Sequence, residues 1–452
     1  MIKKMIVGMS MLTLLMPMVA QKPANFFSTK LANGLEVLVV EDKSVPLATV
    51  EITTKNGSYT ESSEFNGLSH LYEHMFFKAN KDYPSQETFM AKVRELGIVF
   101  NGTTSEERVN YFFTLPKNNW EAGLNFMNSA IRYPLFLSEE MKKENVVVDG
   151  EFQRNESNPY FPLYMEMNHA LWGDLFSRKN VIGDHTIINT ATPAKMQAIK
   201  DKYYWPNNSM LIISGDVNHT NVFAKVKELF GSWKASGFDP FAKWPIPEFK
   251  PLDKINYFVV ESKNARVPMF MLGWHGPDTR SDRSATYAAD VFSYILSQNS
   301  NKFQKELVDK GIALQASVSY QTLKHTGPIR VIVVPHPANV AACAQAMKEQ
   351  IAQWDSPDYI TDEQLENAKR QLEIQNLQEF DVTSSLSHDL AYNWCTADLD
   401  YFYNYIANVK KVTKADLQNY VRKYIKGKNY AAGLLINPAQ KEQLKPETFW
   451  KE

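Results

Sequence analysis

The sequence predicts an α+β fold made of two related domains that are joined by a linker. Its 452 residues are too many for one ordinary hydrophobic core. In the first half, strand-like and helix-like segments are mixed, with hairpins instead of a strict alternation of strand and helix. Parts of the first half recur in the second half at a nearly constant offset, which indicates an internal duplication.

Turn and capping residues mark the order of the elements in the first half. Asn33-Gly34 predicts a two-residue hairpin between strands 27–31 and 36–41, because both residue types tolerate positive φ. Ser138 is the expected N-cap of a long helix over 139–155. The other predicted elements are strands 48–54, 99–103, 109–115 and 209–215, and helices 67–77, 86–96, 120–132 and 193–203.

A stretch rich in proline and aromatic residues, 236–251, predicts an interdomain linker. The alternative is one long surface loop. The linker interpretation divides the rest of the chain into an N-terminal domain, 21–235, and a C-terminal domain, 252–452.

The duplication rests on two separated matches between the halves. Helix 193–203 and its following strand resemble the segment that begins at Thr413, and residues 137–140 (LSEE) resemble 360–363 (ITDE). Both matches have an offset slightly above 220 residues. A shared offset at two places favours a duplicated unit over a chance similarity.

Residues 1–20 predict an export signal. Lys3 and Lys4 precede an apolar run over 5–19, and Ala20 precedes the expected cleavage point. The run is shorter than the ~20 residues that span a bilayer, although an uncleaved anchor is the alternative. We expect a periplasmic or secreted protein, with no stable membrane insertion after the signal is removed.

The composition excludes several classes of protein. Apolar residues make up 44% of the chain and charged residues 22%, as in a folded globular protein. The net charge of −1 and the dispersed basic residues argue against nucleic acid or an anionic membrane as a partner. Cys343 and Cys395 include no CxxC pair, which argues against a disulfide framework and a thiolate zinc site. One bridge between these two cysteines stays open.

The segment His70-Leu-Tyr-Glu73-His74 predicts a catalytic zinc site. Two histidines four residues apart share one face of a helix, so both imidazoles can reach one ion. Glu73 lies near the same ion without binding it, where it can take a proton from a metal-bound water. This order of residues is the inverzincin signature. The alternative is a surface helix whose polar face carries these residues by chance.

Helix 139–155 offers the third ligand that a catalytic zinc needs. Glu144 and Glu151 are seven residues apart, two helical turns, and so share a face. Val147 and Val148 lie between them and can pack the helix inward. We assign Glu151 as the zinc ligand and Glu144 as the carboxylate that orients a histidine ligand. The alternative is a pair of exposed glutamates.

The chain resembles the pitrilysin family of zinc peptidases, which includes insulin-degrading enzyme and mitochondrial processing peptidase. The resemblance covers nearly all of the mature chain. It is carried by residues 67–75 (GLSHLYEHM), 144–151 (ENVVVDGE), 101–105 (NGTTS) with the following Asn110 and Tyr111, 181–183 (VIG) and 204–208 (YWPNN). It implies two homologous α/β-sandwich domains that enclose a peptide-binding chamber, with one Zn²⁺ per chain.

The resemblance also implies a zinc endopeptidase that acts on extended or unfolded peptides. Asn101 and Gly102 are similar to the family's edge strand, which binds substrate through backbone hydrogen bonds beside the zinc. Asn101 as an ordinary turn residue next to Gly102 is the alternative.

The second half departs from the family's pattern. Val308 stands where the family has a substrate-contacting Arg, and Leu314 stands where it has a Tyr; neither can donate a hydrogen bond. The positions that match the zinc residues are Ser293, Leu296 and Ser297. Some members of the family divide these duties between two subunits, one that carries zinc and a metal-free one that carries the Arg/Tyr pair. The resemblance therefore implies that this chain is the metal-bearing subunit of a heterodimer, in preference to a homodimer, with a metal-free homologous partner.

Three alternatives to this assignment remain. The chain could cleave peptides alone, with weaker transition-state stabilisation. It could be a non-catalytic peptide-binding or assembly subunit of the same fold, although all of His70, Glu73, His74 and Glu151 are present. It could also be a binding module with a chance motif.

Overall fold

Two mixed β-sheets, one from each half of the chain, form the framework of the computed structural model, which describes residues 22–379 and 382–449. The predicted signal segment, 1–20, lies outside the described residues. The strands are β1 (Phe26–Lys30), β2 (Glu36–Glu41), β3 (Leu47–Thr54), β4 (Val99–Thr104), β5 (Val109–Pro116), β6 (Ser209–Gly215), β7 (Asn256–Glu261), β8 (Met269–His275), β9 (Ala313–Tyr320), β10 (Pro328–Pro335) and β11 (Ala431–Ile436).

Helices cover the sheets and form most of the connections. The α-helices are α1 (Leu68–Phe76), α2 (Gln86–Leu96), α3 (Trp120–Arg132), α4 (Ser138–Glu156), α5 (Phe161–Trp172), α6 (His185–Asn189), α7 (Pro193–Tyr203), α8 (His219–Phe230), α9 (Pro240–Lys243), α10 (Arg283–Ser297), α11 (Lys302–Gln304), α12 (Val340–Gln353), α13 (Asp362–Glu379), α14 (Thr383–Thr396), α15 (Leu399–Val409), α16 (Lys414–Tyr424) and α17 (Lys441–Leu444). A π-helical turn, Lys305–Asp309, follows α11. Short 3₁₀ turns are Ser58–Thr60, Ser63–Phe65, Lys117–Asn119, Gly173–Lys179, Pro206–Asn208, Pro337–Asn339, Pro438–Gln440 and Pro446–Thr448.

The two sheets share one topology. The first has the order β1-β2-β6-β3-β5-β4, and the second has the order β7-β11-β8-β10-β9. Without β1, the two orders correspond strand by strand: the first pair is parallel and the next three pairs are antiparallel. The predicted α+β class with two related domains is therefore confirmed. The boundaries 21–235, 236–251 and 252–452 remain predictions.

Each half has its own hydrophobic core between its sheet and the helices of that half. In the first half, α1, α2, α3, α7 and α8 contribute apolar side chains to this core. Helices α2, α3 and α7 have the predicted bounds, because their apolar periodicity and capping residues are local signals.

The hairpin at Asn33-Gly34 is present, but it is not the predicted two-residue turn. Strands β1 and β2 pair from Lys30 opposite Glu36, which leaves a five-residue loop. Gly34 has a φ of 92°, whereas Asn33 keeps negative φ. The Asn33 amide instead donates to the carbonyl oxygens of Phe230 and Trp233, both at 2.8 Å. The long-range contact of Asn33 therefore overrides the local turn preference.

The predicted cap of α4 is also wrong. Ser138 is the first helical residue, and Leu137 occupies the N-cap position without a side-chain hydrogen bond. Only one of the two valines expected to pack inward does so, since Val148 is buried and Val147 is 50% exposed.

The halves exchange one helix each. Helix α5 belongs to the first half but packs on β8 and β11 of the second sheet, while α14 belongs to the second half and packs on β3 and β6 of the first. The starts of α5 and α14 are slightly more than 220 residues apart, so the exchange follows the duplication. The buried cluster under α5 contains Leu163, Met167, Met269, Met271, Val334, Ala431 and Leu435. The cluster under α14 contains Phe26, Leu38, Val40, Met210, Ile212, Leu386, Leu390, Ala391, Trp394 and Cys395.

The predicted linker segment is packed against the protein. Phe249 is buried and meets the Trp172 ring edge-on at 5.4 Å, and Phe241 lies 5.6 Å from the ring of Tyr59. These contacts hold segment 236–251 in place, although its composition predicted only a linker between domains.

The open possibility of a disulfide is not realised. Cys343 lies in the core of the second half, and Cys395 lies under α14 with its Sγ 3.5 Å from the Thr53 hydroxyl; both are free thiols. None of the helices within 22–379 and 382–449 has the length and hydropathy to span a membrane.

Candidate metal centre

Helix α1 is held firmly at its N-terminus. The Glu61 carboxylate accepts hydrogen bonds from the backbone N–H groups of Gly67 and Ser69, both at 2.7 Å. Burial raises the pKa of the Glu61 carboxyl group to about 8, although the hydrogen bonds from Ser69 and Gly67 oppose the rise. Gly67 has a φ of 89°, and a Cβ there would lie 2.5 Å from Cα of Gly183. The two segments quoted for the family resemblance, 67–75 and 181–183, therefore meet backbone to backbone.

The apolar residues of α1 face the first core, and its histidines face α4. Leu71, Tyr72 and Met75 are buried in the core. His70 and His74 are four residues apart and share the other face, where the histidine rings lie edge to face, 4.8 Å apart. The burial pattern thus explains why both imidazoles point at one place.

Three ligand atoms from α1 and α4 form a nearly equilateral triangle. Nε2 of His70 and Nε2 of His74 are 3.3 Å apart. Oε2 of Glu151 lies 3.6 Å from the His70 nitrogen and 3.7 Å from the His74 nitrogen. Zinc at 2.0–2.1 Å from tetrahedral ligands separates them by about 3.4 Å. The triangle therefore fits one zinc ion and leaves its fourth position open.

Glu144 and Lys78 fix the orientation of His74. Nδ1 of His74 lies 2.9 Å from Glu144 Oε1, and the other Glu144 oxygen lies 2.5 Å from Lys78 Nζ. The bond to Glu144 places the ring proton on Nδ1 and leaves the Nε2 lone pair for a metal. Burial raises the pKa of Glu144, but the bonds from His74 and Lys78 outweigh it and hold that pKa below the usual value.

Glu73 lies against the edge strand β4. Its Oε2 accepts a hydrogen bond from Thr104 Oγ1 at 3.2 Å. A Cβ on Gly102 would lie 2.7 Å from Glu73 Oε1, so a side chain there would displace the Glu73 carboxyl group. Burial raises the pKa of Glu73 to about 7, although His74 and the bond from Thr104 oppose the rise. A carboxyl group that titrates near neutral pH suits a general base.

The two histidines differ in their protonation. Burial, with the neighbouring His74, lowers the pKa of His70 to about 4. Burial also lowers the pKa of His74, but the bond to Glu144 and the nearby carboxylates outweigh it and raise that pKa. At neutral pH, His70 is therefore an unprotonated imidazole, the form that binds metals.

The site opens into a cavity of about 360 Å³ bordered by α1, α2, α4 and β4. Within the part of the chain that the structure describes, strand β4 pairs only with β5, so its other edge is free. Asn101 and Gly102 both lie within β4, and Asn101 is exposed. The turn interpretation of Asn101 is therefore wrong. The free edge offers backbone N–H and C=O groups to an extended chain.

The second half carries no comparable group at the corresponding positions. Val308 lies in the π-helical turn and packs on the second core, and Leu314 on β9 is 54% exposed. Ser293 and Ser297 lie on α10, and the Ser297 hydroxyl donates to the Tyr294 carbonyl. Among the described residues, the group of three or more His, Cys, Asp and Glu side chains that could hold a metal is His70, His74 and Glu151.

Three residues that support the candidate site were not identified by the sequence analysis. Lys78 is four residues after His74, so helical spacing could have placed it near Glu144. Glu61 and Thr104 act across a loop and from a neighbouring strand, and no local spacing signals them.

Family models match both halves of the chain. Residues 36–176 match the family described as Insulinase (Peptidase family M16), and residues 190–372 match the Peptidase M16 inactive domain. A protein of Rickettsia felis named an uncharacterized zinc protease is 24% identical over 373 residues, which cover 82% of this chain and 87% of that protein.

Solved structures share the fold. A protease from Helicobacter pylori has a TM-score of 0.81 at 24% identity, covering 91% of this chain and 99% of that one. The first half of the periplasmic protease PqqL from Escherichia coli has a TM-score of 0.74 at 17% identity, covering 94% of this chain and 95% of that one.

Proposed function

Because this chain belongs to peptidase family M16, the insulinase family, we propose that it is a zinc-dependent endopeptidase that cleaves extended or unfolded peptides. The expected resemblance to the pitrilysin family is confirmed by this membership. The observation that carries the proposal is the triangle of His70, His74 and Glu151 ligand atoms beside the buried carboxyl group of Glu73.

One Zn²⁺ per chain would be held by His70, His74 and Glu151, and would supply a more acidic water and a Lewis acid for the scissile carbonyl. Glu73 is positioned to take the proton of that water and to return it to the leaving amine. Glu144 keeps the His74 ring in the tautomer that a metal needs.

An extended peptide would bind along the free edge of β4. Backbone hydrogen bonds at Asn101 and Gly102 would place its scissile bond next to Glu73, because Gly102 and Glu73 are in contact. Binding through the backbone requires an unpaired stretch of chain, which favours unfolded polypeptides over native proteins.

The proposed partner is a metal-free homologous subunit that supplies an Arg/Tyr pair, in a heterodimer rather than a homodimer. The support is the chemistry of the second half, since Val308 and Leu314 have no group that donates to a carbonyl or an oxyanion. If the purified chain alone cleaves the peptide at a rate that an added partner does not raise, the proposed partner subunit is not needed, and this part of the proposal is refuted.

We propose a periplasmic or secreted location. The support is the sequence of residues 1–20 and the fold shared with PqqL, which is described as a periplasmic protease.

The decisive experiment measures zinc content and cleavage of a quenched fluorescent peptide together. Glu73→Gln should keep the zinc and lower kcat by about 10²–10⁴-fold, because it removes the base and no ligand. Glu151→Gln should lose both zinc and activity. Glu139→Gln, on an exposed part of α4, is the matched control and should change neither.

The alternative function is that of a non-catalytic peptide-binding or assembly subunit. It is favoured if the wild-type chain binds zinc and peptide but no cleavage is detected with or without a partner. A wild-type chain that binds no zinc would refute the metalloenzyme.

A further inference from the structure

A closed ring of hydrogen bonds joins the second half of the chain to the strand beside the metal centre. Arg108 donates to Thr103 Oγ1 at 2.6 Å and to the His388 carbonyl at 3.1 Å. Thr103 donates to Asn110 Oδ1 at 2.5 Å. Asn110 donates to Glu51 at 2.6 Å, and the other Glu51 oxygen lies 2.6 Å from Nδ1 of His388.

Four members of this ring belong to the first half, and His388 lies on the exchanged helix α14 of the second half. Glu51 and Asn110 are completely buried, while Thr103 lies at the exposed end of the ring. Buried polar groups that satisfy one another hold a single geometry, because any displacement leaves a buried donor or acceptor unpaired.

The ring acts on the opposite side of β4 from the metal centre. Side chains alternate between the faces of a strand, so Gly102 and Thr104 face Glu73 whereas Thr103 faces the ring. Because β4 has only β5 as a neighbouring strand, its position depends on such side-chain contacts.

The tip of the β4–β5 hairpin is tied to the second half as well. Glu106 accepts a hydrogen bond from the Gln321 amide at 2.9 Å. Glu107 accepts from the backbone N–H groups of Lys324 and His325, at 2.7 and 2.8 Å. These three donor residues of the second half lie in the β9–β10 connection, the counterpart of the β4–β5 connection, so the two related hairpins meet tip to tip.

We propose that Arg108 is a positioning residue for the substrate strand, and that the second half of the chain sets the position of β4 through it. This inference rests on the proposed function, since it assumes that an extended peptide pairs with β4. Arg108 touches neither the ligand atoms nor Glu73, so its effect falls mainly on peptide binding. Any effect on Glu73 is indirect, through the contacts of Glu73 with Gly102 and Thr104.

Arg108→Met tests the proposal in the full-length, zinc-loaded chain with two peptides. One peptide has about ten residues, enough to pair along the strand, and the other has about four. We expect KM of the long peptide to rise about tenfold, with kcat and zinc content unchanged. KM of the short peptide should change less than about twofold, because it makes few strand contacts.

Two further variants separate positioning from loss of fold. Arg108→Lys keeps the charge but reaches fewer acceptors, and its KM for the long peptide should lie between wild type and Arg108→Met. Arg132→Met is the matched control, since Arg132 also donates to a backbone carbonyl, that of Leu229, but lies away from β4. We expect Arg132→Met to lower the melting temperature by about as much as Arg108→Met does, and to leave KM unchanged.

The proposal is overturned if Arg108→Met leaves KM of the long peptide unchanged, or if KM of both peptides rises equally. Should the wild-type chain show no zinc-dependent cleavage with or without a partner subunit, the proposed function fails while the ring is still testable. In that case, fluorescence anisotropy of the labelled long peptide replaces KM, and equal affinity for wild type and Arg108→Met refutes the positioning role.

Discussion

Gly102 lies so close to Glu73 that the two residues constrain each other. A Cβ at position 102 would lie 2.7 Å from Glu73 Oε1, so any side chain there would push the Glu73 carboxyl group aside. A residue chosen from the sequence as a substrate-strand position therefore has a second, steric requirement. This contact therefore limits where the Glu73 carboxyl group, which we propose is the base, can lie.

Replacing Gly102 with Ala should lower kcat at least about tenfold while zinc content stays at the wild-type value, because the new methyl group displaces Glu73 and not the ligands. Gly150→Ala is the control, since a Cβ there meets nothing within 4 Å. Steady-state kinetics and metal analysis of both variants check the prediction. Equal kcat for Gly102→Ala and wild type would contradict it.

Glu144→Gln should weaken zinc binding by about 10–100-fold, the usual effect of losing a carboxylate that orients a ligand histidine. The substitution removes the negative charge of Glu144, which contacts both His74 and Lys78. Competition with a chelator measures the affinity. An unchanged affinity would show that Glu144 has no influence on the metal.

At the scale of elements, the exchanged helix α5 contacts the second sheet at a histidine, His275. His275 on β8 donates from Nε2 to the carbonyl of Leu171 on α5 at 2.8 Å, and its ring stacks on Trp172. Burial lowers the pKa of His275 to about 4, with the Leu171 bond opposing the shift. This histidine is therefore neutral in the folded protein at neutral pH.

A lowered histidine pKa makes the contact between α5 and β8 sensitive to acid. Between pH 6.5 and about 4, the unfolded chain takes up a proton that the folded chain does not, so stability falls as pH falls through this window. His275→Gln keeps a donor without the titration and should reduce the loss of stability between pH 7 and pH 5 by roughly 1–2 kcal/mol.

Thermal melts of wild type and His275→Gln at both pH values make the measurement. His336→Gln, at an exposed histidine, is the control and should retain the wild-type dependence on pH. If the stability of wild type and of His275→Gln falls equally between pH 7 and pH 5, His275 does not contribute to the loss of stability in acid.

At the scale of the whole molecule, each half has a sheet face that is covered by a helix of the other half. The face of the first sheet that α14 covers includes Leu38, Met210 and Ile212, each at most 1% exposed. Without the second half, this face would be a large apolar patch in water. We therefore expect the two domains to fold as one unit, despite their separate cores.

Residues 22–251 expressed alone should be insoluble or aggregated, and co-expression with 252–452 should recover a soluble complex, because each fragment carries the helix that covers the other's sheet. Size-exclusion chromatography of the separate and co-expressed fragments checks this. A soluble, cooperatively melting monomer of 22–251 would contradict it.

Local signals account for what could be predicted. Helix α1 with two histidines on one face, the pair Glu144 and Glu151, and the bounds of several helices follow from spacing and caps within about 20 residues. The predictions at Asn33 and Ser138 were wrong where a neighbour far along the chain, or the entry of the chain into the helix, overrode the local preference.

The sequence by itself determined which side chains could hold a metal, which carboxyl group could act as a base, and that the fold is duplicated. Only the tertiary structure decided that α5 and α14 exchange sheets, that Gly102 rests on Glu73, and that Arg108 closes a ring with His388. The physical reason is sequence separation: periodicity and caps report neighbours along the chain, whereas these contacts pair groups whose spacing carries no period.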